Sequence, residues 1–145
     1  MRIEVELTPK TIEAPSNGGS DSAGRIGAWV EFAGLVREEE AGGCIVALEY
    51  EAYESMALRV MREILVRLAE RHACECVRVI HRVGVIPVGE KALWVGVGAV
   101  HRREALELLV AFLDELKRDV PIWKRAGLSR EELDSSGAMR AEGTS

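Results

Sequence analysis

The stretch 76-CVRVIHRVGVIPVGEKALWVGVGAVHRREALELLVAFLDELKR-118 decides the fold. It holds two valine-rich runs, residues 76–85 and 92–100, separated by a Pro-Val-Gly-Glu turn, and this pattern predicts a hairpin of two strands. The apolar residues then recur at helical spacing and Pro121 follows, so we expect a helix over residues 101–118. Its buried face is expected to carry Ala105, Leu108, Leu109, Phe112 and Leu116.

The same patterns occur upstream of this stretch. Residues 1–7 alternate apolar and charged side chains, and residues 26–36 and 44–53 are also typical of strands. A helix is expected from Glu54, and Met56 is expected to fill the core. Its buried face is predicted to carry Ala57, Val60, Met61, Ile64, Leu65 and Leu68. Strands followed by a helix, twice over, favour an α+β fold with a mainly antiparallel sheet.

Three segments lack a regular pattern. Residues 8–25 combine prolines, glycines and serines, which predicts a mobile loop. Residues 37–43 carry three consecutive glutamates and are expected to form a solvated turn between two strands. Beyond Trp123 the periodicity fades, and residues 127–145 are interpreted as a polar tail. No repeat or linker divides the chain, so one domain over residues 1–145 is predicted.

Composition narrows the functional classes. The 145 residues are 48% hydrophobic and 30% charged, with a net charge of -5, which argues against a general nucleic-acid binder. Any anion must therefore be bound by a local cluster of cations. Neither an export leader nor a run long enough to span a membrane is predicted.

The three cysteines, Cys44, Cys74 and Cys76, cannot all pair within one chain. A Cys-x-Cys spacing fits neither a redox motif nor a zinc site, so a reducing cytoplasm is the expected location. Alternation along a strand would place Cys74 and Cys76 on one face, buried as small hydrophobic residues. No metal site or cofactor is predicted from the chain.

The common catalytic motifs are missing. The sequence holds no P-loop, no Gly-x-Gly-x-x-Gly after a strand, no Gly-x-Ser-x-Gly and no His-Glu-x-x-His. Gly96 and Gly98 lie inside a strand pattern without a third glycine, and they are expected to permit a close backbone approach or a bulge.

A cluster of cations at a strand-to-helix junction is the first candidate site. His101, Arg102 and Arg103 oppose the dipole of the helix that they begin, which costs stability unless an anion lies nearby. The alternative is that the arginines point into water and pair with Glu104 and Glu107. The motif alone leaves both interpretations open.

Two lysines and one further arginine complete the set of candidates. Lys117 ends the predicted helix and Lys124 follows in an extended segment, in a chain with fifteen arginines and only four lysines. A retained lysine suggests a compact, titratable amine, although a helix C-terminus and simple exposure also explain the two positions. Arg37 stands where a strand ends, a common place for functional side chains, but it could equally be a surface arginine.

In their joint order these segments resemble the large subunit of molybdopterin synthase. The segments are GAWVEFAGLVR (27–37), LEYEAYESM (48–56), VIHRVG (79–84), GVGAVHR (96–102) and LKRDVPIWKR (116–125). The match runs in unbroken order over residues 26–126, and order with spacing is more specific than any single motif.

The resemblance implies an α/β-hammerhead-like α+β fold with two main helices. It further implies a homodimeric core that binds two small ubiquitin-like carrier subunits, giving a heterotetramer. The carrier's Gly-Gly tail would arrive as a thiocarboxylate. The enzyme would be a sulfurtransferase that converts cyclic pyranopterin monophosphate to molybdopterin by inserting two sulfurs, without a cofactor of its own.

The resemblance also assigns roles to residues. Lys117 and Lys124 match the lysines closest to the chemistry. The positions that match substrate-binding or pocket-lining residues are Arg37, His101, Arg102 and Phe32. Arg140 is a loose counterpart of an arginine that reaches the site from the dimer mate. Preorganised cations suit this chemistry, because opening a cyclic phosphate and transferring acyl sulfur both develop negative charge.

Two departures motivate an alternative. Ala126 stands where family members often carry glutamate, and residues 128–145 contain no tryptophan. A non-catalytic relative that binds a ubiquitin-like carrier or an anionic pterin as a scaffold would tolerate both changes.

Overall fold

The computed structural model describes residues 1–15, 24–40 and 43–136. The tail arginine Arg140 and most of the predicted loop over residues 8–25 therefore lie outside the described residues. Along the chain the elements are β1 (Arg2–Thr8), β2 (Ala28–Leu35), β3 (Glu39–Glu40), β4 (Gly43–Cys44), β5 (Ala47–Ala52), α1 (Glu54–Ala69), β6 (Cys74–Arg82), β7 (Gly84–Pro87), β8 (Lys91–Ala99), α2 (Arg102–Asp119), β9 (Ile122–Leu128) and α3 (Arg130–Ser136).

Two larger sheets organise the described residues, beside the two-stranded pairing of β3 with β4. The main sheet has the strand order β1-β6-β8-β2, and a second sheet has the order β7-β5-β9. Every pairing in them is antiparallel except that of β1 with β6. The predicted α+β fold with a mainly antiparallel sheet and two main helices is confirmed, and α3 is a short addition.

The hydrophobic core lies between the two long helices and one face of the main sheet. The helix patterns predicted this correctly, because α1 buries Ala57, Met61, Ile64, Leu65 and Leu68 while α2 buries Ala105, Leu108, Leu109 and Phe112. Alternate residues of β6 and β8, among them Val77, Val79, Val95 and Val97, complete the cluster. Burying this apolar area is the dominant favourable contribution to folding.

Two ion pairs show that the long helices run in opposite directions. Arg67 contacts Glu115 at 2.6 Å, and His72 contacts Glu107 at 3.8 Å, so residue numbers fall along α2 as they rise along α1. Helix α1 leads into β6, whose first residue pairs with the last residue of β8. Helix α2 therefore starts at that end of the sheet and finishes at the other.

The main sheet thus has two distinct ends. The end that we call the Arg37 end holds the last residues of β2 and β6, the first residue of β8 and the last turn of α2. The end that we call the His101 end holds the first residues of β2 and β6, the last residue of β8 and the start of α2. These two ends decide which candidate residues can meet.

The predicted strand over residues 76–85 is divided. β6 stops at Arg82, and the chain continues from Gly84, at a φ of 87°, into β7 of the second sheet. A positive φ costs glycine little, so a sharp change of direction is possible there. The expected antiparallel pairing of the two valine-rich strands is confirmed over β6 and β8. The prediction that residues 76–85 form one continuous strand was wrong.

Other expectations also fail locally. The predicted strand over residues 44–53 is two strands, and the acidic turn before it contains β3, which pairs with β4. The polar tail was wrong in its first part, because β9 and α3 extend to Ser136. Met56 is 44% exposed rather than a core residue.

The two neighbouring cysteines lie on opposite faces of the main sheet. Cys74 packs against the helical core and lies 3.4 Å from the Glu104 carbonyl oxygen, whereas Cys76 approaches Gly98 on the other face. A register shift between the two cysteines breaks the alternation that predicted a shared face. Burial raises the pKa of the Cys74 thiol to about 11, with a smaller contribution from Glu104.

Candidate functional site

Arg37 projects from a firmly anchored piece of backbone at the Arg37 end. The Val36 amide donates to the Glu90 carbonyl oxygen at 3.1 Å, and the Val36 carbonyl oxygen accepts from the Gly89 amide at 2.8 Å. On the other side, the Glu38 carbonyl oxygen accepts from the Ile45 amide at 2.8 Å. The Arg37 side chain itself is exposed, so a ligand can reach it.

Lys117 lies at the same end of the main sheet. It is exposed in the last turn of α2, as predicted from the sequence. A cation is favourable there because it interacts with the negative end of the helix dipole. Lys117 is therefore compatible with a stable helix at this position, and its amine is accessible to a ligand.

Lys124 is exposed on β9, the strand of the second sheet that pairs with β5. Its cross-strand partner is Tyr50, and the register shifts just beside this pair. Such irregularities often re-aim side chains next to active sites. The second sheet joins the main sheet at the Arg37 end, because β7 lies between the end of β6 and the start of β8. Arg37, Lys117 and Lys124 therefore share one end of the molecule.

His101 and Arg102 lie at the opposite end. His101 is the N-cap residue of α2 and makes no capping hydrogen bond through its side chain, and both residues are exposed. The 18 residues of α2 separate them from the Arg37 end, which at the usual rise per residue is about 27 Å. The five predicted cations therefore do not form one pocket within a single chain.

Most other arginines of the described chain contact a carboxylate, whereas four of the five predicted cations do not. Arg67, Arg78, Arg82, Arg118 and Arg125 each contact a carboxylate. Within residues 1–15, 24–40 and 43–136, no ion pair or side-chain hydrogen bond engages Arg37, His101, Arg102 or Lys117. Glu107, one of the carboxylates considered for Arg102 and Arg103, contacts His72 instead. Uncompensated cations at both ends are available to bind anions.

Phe32 and Arg140 complete the predicted set. Phe32 is half-buried on β2 and packs against the helical core, opposite Val95. One part of its ring therefore belongs to the core, and only its remaining edge can line a site. Arg140 is outside the described residues, so its predicted role stays a prediction.

Two buried polar residues were not anticipated from the sequence. Arg82 is 2% exposed and contacts Glu90 at 2.7 Å, and His81 is 6% exposed. The His81 Nδ1–H donates to the Arg82 carbonyl oxygen at 2.7 Å, and its ring meets Tyr50 edge-on at 5.3 Å. Burial lowers the pKa of His81, so the ring is neutral. The sequence signals for this pair were its place in a valine-rich strand and in the segment VIHRVG (79–84) of the resemblance.

The described residues provide neither a cluster of metal ligands nor a membrane-spanning helix. Among the described residues, no group of three or more His, Cys, Asp or Glu side chains could hold a metal ion. None of the helices in the described ranges is long and apolar enough to cross a membrane.

Comparison with known proteins places the chain in a family. Residues 6–119 match the model of the MoaE protein family. The chain is 40% identical over 122 residues to the molybdopterin synthase catalytic subunit of Pyrococcus abyssi, which covers 84% of this chain and 78% of that protein. It is also 40% identical over 99 residues to the molybdopterin synthase catalytic subunit of Oryza sativa subsp. indica, covering 68% of this chain. It spans about half, 51%, of that rice protein's length.

Solved structures give the same picture. Molybdopterin synthase from Staphylococcus aureus superposes with a TM-score of 0.76 at 29% identity, covering 82% of this chain and 87% of that one. A complex of subunits 1 and 2 of molybdopterin-converting factor from Helicobacter pylori gives a TM-score of 0.70 at 20% identity, covering 88% and 90%. At that identity, the second likeness supports the fold alone.

Proposed function

Because the chain belongs to the MoaE protein family, we propose that it is the catalytic subunit of a molybdopterin synthase in molybdenum cofactor biosynthesis. The family predicted from the sequence is thereby confirmed. The proposed reaction, in the cytoplasm, converts cyclic pyranopterin monophosphate to molybdopterin by inserting two sulfurs. A small ubiquitin-like subunit would deliver each sulfur as a C-terminal thiocarboxylate.

The observation that carries this proposal is the set of exposed cations without carboxylate partners, Arg37, His101, Arg102 and Lys117. A chain of net charge -5 that neutralises most of its other arginines leaves these side chains available. Arg37, His101 and Arg102 suit the phosphate of the substrate, because guanidinium groups bind phosphate through paired hydrogen bonds.

The two lysines suit the chemical steps. Sulfur transfer from an acyl group develops negative charge on the carbonyl oxygen, which an ammonium group such as that of Lys124 can stabilise. An amine of this kind can also move a proton to or from the pterin. The cysteines have no role in this scheme, since the sulfur arrives on the partner, and the raised pKa of Cys74 disfavours its thiolate.

A second copy of the chain would complete the site. His101 and Arg102 lie about 23–24 Å along the helix from Lys117, too far for one pterin monophosphate to contact both groups. Two copies related by a two-fold axis could place the His101 end of each against the Arg37 end of the other. This arrangement supports the proposed homodimeric core, and one carrier bound to each protomer would give the heterotetramer.

The structure also bears on the missing glutamate at position 126. Ala126 pairs with Glu49 across the strands, and Arg125 contacts Glu49 at 3.8 Å and Glu51 at 3.4 Å. Cross-strand partners share a face of the sheet, so a carboxylate lies next to position 126 although residue 126 has none. This favours the enzyme over the scaffold.

The direct test is reconstitution of sulfur transfer. The purified chain is incubated with cyclic pyranopterin monophosphate and a thiocarboxylated carrier, and molybdopterin is measured. We expect product only when the carrier ends in the thiocarboxylate, with the ordinary carboxylate form as the control. Tight binding of the carrier without sulfur transfer would support the scaffold and contradict the enzyme.

A further inference from the structure

We infer that the partly buried ion pair of Arg82 and Glu90 positions Arg37 for phosphate binding, so that both are positioning residues of the site. This inference rests on the proposed function. It gives a role to Arg82 of the Val-Ile-His-Arg-Val-Gly segment (79–84), which takes no part in the chemical steps proposed above. The chain of contacts runs from Arg82 through Glu90 and the turn before β8 to Val36.

The first contact is the ion pair itself. The Arg82 Nη1 lies 2.7 Å from the Glu90 Oε1, with the Arg82 side chain 2% exposed and the Glu90 side chain 41% exposed. Arg82 is the last residue of β6 and pairs with Thr8 of β1, at the Arg37 end of the main sheet. The ion pair therefore attaches a partly exposed turn to a rigid strand.

The second contact joins this turn to the segment that carries Arg37. The Glu90 amide closes the turn on the Pro87 carbonyl oxygen at 3.1 Å. The same residue's carbonyl oxygen accepts from the Val36 amide, and the Gly89 amide donates to the Val36 carbonyl oxygen. Both backbone groups of Val36 are thus bound to the turn, so a displacement of Glu90 moves the residue next to Arg37.

Stability alone does not explain the pair well. Removing an arginine from water carries a desolvation cost that a buried ion pair often fails to recover. The same strand offers a comparison in Arg78, which is 42% exposed and contacts Glu4 at 3.5 Å, with no link to the site. What sets Arg82 apart is that its carboxylate partner lies in the turn that holds Val36.

The test compares Glu90→Gln with Glu4→Gln in the full chain. Each change removes the carboxylate partner of a β6 arginine, but only the first lies in the path to Arg37. We expect Glu90→Gln to weaken binding of cyclic pyranopterin monophosphate about tenfold, seen by calorimetry and as a raised KM, with kcat within about twofold. Glu4→Gln should leave both values unchanged.

The decisive comparison introduces Glu90→Gln into a chain that already carries Arg37→Ala. If Glu90 acts through Arg37, Glu90→Gln should have no further effect on affinity in a chain that already carries Arg37→Ala. Arg82→Lys, which keeps the charge but not the guanidinium geometry, should reproduce the Glu90→Gln result. An undiminished effect in the Arg37→Ala background, equal losses in kcat, or unchanged affinity would each overturn the inference.

These outcomes are separate from failure of the proposed function. A wild-type chain that binds the pterin monophosphate but transfers no sulfur would refute the proposed reaction, and the affinity comparison would still decide the role of Arg82 and Glu90. A wild-type chain that binds no pterin monophosphate contradicts both.

Discussion

The reactivity proposed for Lys124 can be tested without disturbing the fold. Lys124 is exposed on β9, and its strand pairing with Tyr50 depends on the backbone. We expect Lys124→Ala to lower the rate of molybdopterin formation by about 100-fold or more. The thermal unfolding midpoint should stay within a few degrees of wild type.

Lys10→Ala is the matched control, since Lys10 is another exposed lysine and follows β1, the edge strand opposite β2, after which Arg37 comes. It should retain the wild-type rate. Comparable activity of the two variants would remove Lys124 from the proposed mechanism.

His81 makes stability depend on pH in a predictable direction. Burial lowers its pKa in the folded chain, while the unfolded chain binds the proton near the usual value of about 6.5. The free energy of unfolding should therefore be highest at pH values well above about 6.5 and decrease as the pH falls through that value. The decrease between pH 7.5 and 5.5 should reach about 1.4 kcal/mol at most.

Urea denaturation of wild type and His81→Phe at the two pH values measures this dependence. The variant loses the hydrogen bond to Arg82, so it is less stable at both values, but its stability should vary less with pH. Identical pH dependence in the two chains would show that His81 is not the responsible group.

The strand β8 depends on a residue without a side chain. A Cβ on Gly96 would lie 2.6 Å from the Trp29 ring and 2.7 Å from the Trp94 ring, and Trp94 is only 1% exposed. The neighbours are aromatic side chains, not the backbone that the sequence suggested. Gly96→Ala should therefore destabilise the fold by about 1–3 kcal/mol. Gly43→Ala, which meets no atom within 4 Å, should be nearly neutral in the same denaturation experiment.

At the level of elements, the spacing of apolar residues predicted those features that depend on one buried face of a helix or strand. The buried faces of α1 and α2 follow from apolar spacing, and so does the pairing of β6 with β8. The break at Val83 and the register shift between Cys74 and Cys76 were not predicted. The break depends on which sheet the next strand joins, and the register shift depends on how β6 pairs with β8; both are decided by distant partners rather than by local composition.

The site was predictable residue by residue but not in its arrangement. The strand-end position of Arg37 and the helix-end position of Lys117 follow from local patterns. Their separation from His101 could not be predicted, because it depends on the direction in which α2 runs relative to the sheet. The pair of Arg82 and Glu90 escaped notice because a charged residue in a strand pattern, such as Arg82, gives no sign of its burial or of its partner.

For the whole molecule, the proposed sharing of sites between two copies predicts complementation. Lys124→Ala and His101→Ala should each be inactive alone. When the two are refolded together, half the pairs contain one of each, and in those pairs one of two sites has both Lys124 and His101 intact. Random assortment therefore predicts about a quarter of wild-type activity from the mixture.

Light scattering should show a dimer, and each variant refolded alone serves as the control. A mixture as inactive as its components would mean that Lys124 and His101 act within one chain or not together. Monomers with full activity would exclude a shared site altogether.

The length of α2 has a consequence for inheritance. Since the helix carries His101 and Lys117 to opposite ends, each chain in the proposed pair would contribute to both sites. A gene copy encoding His101→Ala together with Lys124→Ala would therefore silence both sites of every pair that its product joins. In an equal mixture with the normal chain, such an allele would leave about a quarter of the sites intact, whereas either change alone would leave about half.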